Sequence, residues 1–139
     1  MTIDTTFLRR RIDSLEQALR EIADADDDLR VEICEAVCQD RFERALDQCG
    51  KLLRKRLASF FASNRQADRL EFRDLFRHAA RHDLLRTDAV ERWLGYRDNR
   101  NDTARNCGGA FTEATLNLLP TFIEDAKALA DMIEGVDDG

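Results

Sequence analysis

The chain has 139 residues and a formal net charge of −6, from 22 Lys and Arg against 28 Asp and Glu. Gly and Pro together number only seven, while Leu (17), Ala (17) and Arg (19) far outnumber Val (4) and Ile (6). So few turn-formers and β-branched residues exclude a sandwich, a barrel or a parallel sheet. No apolar run approaches the roughly 18 residues a membrane span needs. The N-terminus is charged where a secretory leader needs its apolar stretch, so a cytoplasmic location is expected. In that compartment Cys34, Cys38, Cys49 and Cys107 read as thiols rather than as a disulfide framework.

A first helix is predicted after a cap at Thr5 or Thr6, with Phe7, Leu8, Ile12, Leu15, Leu19 and Ile22 at three- and four-residue steps. It should stop near Ala25, where Asp24, Asp26, Asp27 and Asp28 crowd together and suit the start of the next helix. The second helix is predicted from about Leu29 to Phe61. Its stripe runs through Val31, Cys34, Val37, Cys38, Phe42, Leu46, Cys49, Leu53, Leu57 and Phe60, and Gly50 is its one weak point. Residues 62–69 read as a linker. A third helix follows over about Leu70–His82, on Phe72, Leu75, Phe76 and Ala79.

The Thr87–Asp88 cap signal opens a fourth helix carrying Val90, Trp93, Leu94 and Tyr96, after which Arg97–Asn106 is a strongly polar run. The last helix is expected from near Thr112 to about Glu134, with Pro120 inside it as a potential kink. The pattern is that of an all-α, up-and-down antiparallel bundle of four to five helices, one domain with its core over about 5–134 and a disordered tail at 135–139.

Charge is unevenly placed: the net is −6 over residues 1–50, +6 over 51–105 and −6 over 106–139. The basic middle could face a nucleotide, RNA or an acidic protein. His78 and His82 have the i, i+4 spacing of a metal pair, but no third ligand accompanies them, so no metal and no cofactor is expected. The Arg97–Asn106 run has a single apolar side chain, Ala104. Either it is a solvated loop, or Arg97, Arg100 and Arg105 form a cationic edge able to grip phosphate or carboxylate in bidentate fashion.

Trp93, followed after six residues by Arg100-Asn101, resembles a motif of the nucleotidyltransferase substrate-binding proteins, a branch of the HEPN helical domains. Arg41-Phe42-Glu43 with Lys51 eight residues after Glu43 is similar to that family's second-helix pattern, and Phe72 through Leu85 resembles its third helix and turn. The resemblance spans roughly residues 8–134. It implies a helical subunit that forms a homodimer, binds nucleotide or another substrate, and works with a separately encoded minimal nucleotidyltransferase, in some cases as a toxin–antitoxin pair.

The family's active-site signature is Arg, four residues, His, one residue, Tyr. Here Arg100 takes the first place, but Arg105 stands where His is expected and Cys107 where Tyr is expected. Arginine stays protonated at neutral pH and cannot act as a general base. The expectation is therefore a non-catalytic or degenerate member. Its substrate or nucleotide site is expected at Arg97, Arg100, Asn101, Arg105 and Cys107, in a cleft at the dimer interface, with no catalytic residue. A ribonuclease toxin with a non-standard active site is one alternative. A helical protein–protein interaction module with no nucleotide role is the other.

Overall fold

In a computed structural model of the chain, residues 3–61, 65–66, 69–105 and 113–135 are described. Five α-helices carry the fold: α1 (Thr6–Asp24), α2 (Asp28–Leu57), α3 (Phe72–Arg81), α4 (Thr87–Arg105) and α5 (Glu113–Gly135). Among the described residues there is no strand. No helix among them is long and apolar enough to cross a membrane. The expected all-α bundle is the architecture observed.

α2 is the spine, in contact with every other helix. Its ends suit its dipole: the Asp27 side chain accepts the Arg30 backbone N–H at 2.7 Å, Asp28 sits in the first turn, and Arg54, Lys55 and Arg56 sit in the last. Cys34, Cys38, Phe42, Ala45, Leu46, Cys49, Leu53 and Leu57 are buried along one side of it. Leu8, Ile12, Leu15 and Ala18 of α1 and Leu119, Phe122, Ile123, Ala126, Leu129 and Ile133 of α5 complete that core. Arg9 reaches Asp131 at 3.0 Å and Lys127 reaches Glu16 at 3.3 Å, so α1 and α5 run antiparallel.

An aromatic cluster joins the second pair of helices to this core. Trp93 of α4 stacks on Phe76 of α3 at 4.9 Å and meets Phe122 edge-on at 5.8 Å, while Phe42 meets Phe122 edge-on at 4.9 Å. α3 ends in a Schellman turn, with Leu84 N–H donating to Ala79 O and Asp83 N–H to Ala80 O. Asp83 holds φ at 59° there, a position that favours glycine.

Several expectations shift. α2 stops at Leu57 and gives way to one 3₁₀ turn, Ala58–Phe60, which puts Phe60 at the surface stacked on His82 at 3.9 Å. Phe7, expected in the α1 stripe, is 52 % exposed beneath the Arg11 guanidinium. Thr5 is the N-cap residue of α1, as expected, but its side chain makes no cap hydrogen bond; Asp4 accepts the Thr6 N–H instead, at 2.9 Å. The polar run after Tyr96 is not a loop: α4 continues as helix to Arg105. Nothing from 97 to 105 is Gly or Pro, and α2 supplies carboxylates for Arg97 and Arg100.

Cys34, Cys38 and Cys49 are buried free thiols. Burial pushes the Cys38 thiol up to about 11, and burial raises that of Cys49 as well. A thiol whose folded pKa lies above its unfolded value contributes stability below the unfolded pKa and loses it as pH rises towards the folded one. The denaturant midpoint should therefore fall as pH is raised from about 9 towards 11. In a Cys38→Ala/Cys49→Ala variant that fall should be shallower. Equal slopes in the two proteins would contradict this assignment.

Candidate functional site

The side of α2 turned away from the α1 contact is charged at regular helical steps. Glu43, Asp47, Lys51 and Arg54 recur every three or four residues, which places them on one face. α4 runs antiparallel along that face and meets it with its own arginines. Arg100 donates to Asp47 and, at 3.4 Å, to Glu43, while Arg97 lies 3.9 Å from Asp47. Gln39 extends the row one turn further, donating to Glu43 at 3.3 Å.

Where α3 joins these two helices a cleft of about 700 Å³ opens, lined by Asp47, Gly50, Lys51, Arg54, Glu71, Phe72, Arg73, Leu75, Arg97 and Asp98. Its floor is the Phe72 ring, with the Arg97 guanidinium 5.1 Å above it. The ring packs beside Gly50, where a Cβ would meet it at 3.4 Å, an ordinary van der Waals contact. Arg54 is anchored on the Leu70 carbonyl at 2.7 Å, and Arg73 lies 3.9 Å from Asp98. Lys51 is exposed, and no ion pair among the described residues engages it. Four cations and three carboxylates thus surround one aromatic face.

The α4 wall is fixed from behind. Arg92 grips Asp125 of α5 with two hydrogen bonds, at 2.8 and 2.9 Å, and the Tyr96 hydroxyl donates to the same carboxylate at 2.5 Å. One turn on, the Thr115 hydroxyl pairs with Asn99 at 3.0 Å. Burial raises the Tyr96 phenol pKa, and the Asp125 hydrogen bond and charge raise it further.

Of the residues expected to bind ligand, Arg97 lines the cleft. Arg100 lies one turn beyond, a quarter exposed and held between two carboxylates. Asn101 and Arg105 lie on the last turns of α4, and Cys107 lies outside the described residues, as does the expected tail beyond Gly135. Reading the sequence alone missed Asp47, Arg54 and Arg73 as neighbours of this site. The four-residue ladder of charge on α2, opposite its apolar side, was the available signal. His78 and His82 pack against Phe61 and Phe60, and no group of three or more potential metal ligands occurs among the described residues.

The single tyrosine of the chain makes the α4–α5 link easy to follow. Asp125→Asn should lower the Tyr96 pKa, because it removes the charge that favours the protonated phenol and leaves only a neutral amide oxygen as acceptor, yet leave it above normal because the ring stays buried. It should also cost about 1–3 kcal/mol of stability. Phenolate absorbance against pH reads the first effect. An unchanged titration would refute the contact.

A family model described as nucleotidyltransferase substrate binding protein like matches residues 4–134. No curated protein and no solved structure matches the chain. The matched span takes in all five helices and every wall of the cleft. The chain belongs to the family of nucleotidyltransferase substrate binding protein like proteins.

Proposed function

We propose that this protein is the non-catalytic, substrate-binding subunit of a two-component nucleotidyltransferase, and that it presents a phosphate-bearing substrate in the cleft between α2, α3 and α4. The observation that carries the reading is the grouping of Lys51, Arg54, Arg73 and Arg97 around the Phe72 face. Guanidinium groups recognise phosphate oxygens in pairs, and an ammonium supplies a mobile point charge. Asp47 and Asp98 lie 3.9 Å from Arg97 and Arg73, and with Glu71 they offer acceptors for amino or hydroxyl groups of the same ligand. The Phe72 ring supports the Arg97 guanidinium that lies over its face.

Bond-making chemistry belongs, in this reading, to a separately encoded nucleotidyltransferase. Arg105 occupies the place of the family's His and stays charged, so it can hold an anion but cannot take a proton from a nucleophile. Asn101 and Arg105 extend the ligand path along α4 beyond Arg97, by roughly 6 and 12 Å of helix rise. The proposal also counts Cys107 among the ligand-binding residues and includes pairing of two copies of the chain. Arg100 is a positioning residue in this scheme, since its guanidinium ties α4 to α2.

Calorimetric titration with nucleoside triphosphates tests the reading. Lys51→Ala and Arg73→Ala should each weaken binding about 5- to 30-fold, the loss of one charge-assisted contact. Both side chains are exposed, so thermal midpoints should stay close to that of the unaltered protein. Equal affinity in the variants, or no binding by the unaltered protein, would overturn the cleft as the site.

A further inference from the structure

The outward face of α2 changes character along its length. Its C-terminal half carries Glu43, Asp47, Lys51 and Arg54, which meet α4 and the cleft. Its N-terminal half carries Leu29, Ile33 and Ala36, spaced four and three residues apart on that same face. Leu29 is 67 % exposed and Ile33 56 % exposed, whereas Cys34, Cys38 and Phe42 on the opposite side are buried. Two of the large apolar side chains exposed among the described residues thus stand one turn apart, beyond the reach of the α4 contact at Glu43.

Around them the surface is acidic. Asp24, Asp26, Asp27, Asp28, Glu32 and Glu35 lie within this end of the α1–α2 hairpin, against Arg30 alone over residues 24–35. No ion pair among the described residues neutralises any of the six. A pair of apolar anchors inside a carboxylate collar selects its occupant by charge. A two-fold contact between copies would set the collars against each other within a Debye length of about 8–10 Å, which is repulsive. An anionic lipid surface is repelled for the same reason.

We infer that the Leu29–Ile33–Ala36 face is a docking surface for a separate protein chain that offers an amphipathic helix, apolar along one stripe and lined by Lys and Arg at its edges. The stripe supplies the burial, through anchors at the four- and three-residue spacing by which one helix packs on another. The acidic collar supplies on-rate and discrimination. This surface is distinct from the cleft, and the inference stands whether or not the cleft binds nucleotide.

The test uses the full chain and two synthetic helical peptides of about 18 residues, long enough to hold helix on binding. One carries a Leu stripe edged by Lys and Arg, and the other carries the same stripe edged by Glu. The basic peptide should bind, more weakly as salt is raised, and the acidic one should not. Leu29→Ser/Ile33→Ser should weaken binding about tenfold or more, as loss of apolar anchors does. Phe7→Ser, which removes an exposed apolar side chain from α1, should leave binding unchanged. Equal binding by the double variant, or binding of the acidic peptide, would overturn the inference. Self-association of the unaltered protein that the double variant abolishes would also overturn it, by assigning the face to a second copy.

Discussion

The structure depends on a division of labour between the two sides of α2. A helix of thirty residues holds in water chiefly by burying an apolar face, and α2 buries Cys38, Phe42, Leu46, Cys49, Leu53 and Leu57 completely. Each large aliphatic or aromatic side chain contributes roughly 1.5–3 kcal/mol by leaving water. The ion pairs on the other side are partly exposed, Arg100 by 25 % and Asp47 by 45 %, and such pairs are worth about a kcal/mol or less. Apolar burial therefore decides the fold. The charges decide something smaller and more local, namely where the last turns of α4 lie.

That local effect shapes the candidate site. α4 is held on its inner side by Trp93 and Tyr96 in the aromatic cluster, and on α5 by the Arg92–Asp125–Tyr96 contacts. Residues 97–105 include no large apolar residue, and Arg97 and Arg100 lean on the carboxylates of α2 instead. The cleft is what remains between a rigid α2, a short α3 that places Phe72 and Arg73, and an α4 wall fixed in this way. A cationic site built on partly paired arginines keeps its geometry without ligand. It also leaves Lys51 as the cation most available to an incoming anion.

Helix number and the α2 spine were legible because apolar residues at 3.6-residue period report burial directly. Phe7 misled because it lies about 100° around the helix from the face that Leu8, Ile12 and Leu15 bury, and Phe60 because α2 gives way to a 3₁₀ turn before it. The helical state of residues 97–105 was hidden because polarity reads as loop unless the compensating groups are known, and Glu43 and Asp47 lie more than fifty residues away in sequence. The family resemblance had already marked Glu43, Lys51 and Arg100, and the fold brings Glu43 to Arg100 and sets Lys51 in the adjoining cleft. Arg54 and Arg73 carried no such mark. Their role follows only from the way α3 closes over α2.

The central claim is that charge pairing across the α2–α4 contact holds the polar end of α4 as a helix and so forms the cleft wall. A double-mutant cycle of Arg100→Ala with Asp47→Ala, read by denaturant unfolding, measures it directly. The account predicts a favourable coupling of about 0.5–1 kcal/mol that shrinks as salt is raised. Strict additivity of the two substitutions at low salt would contradict it.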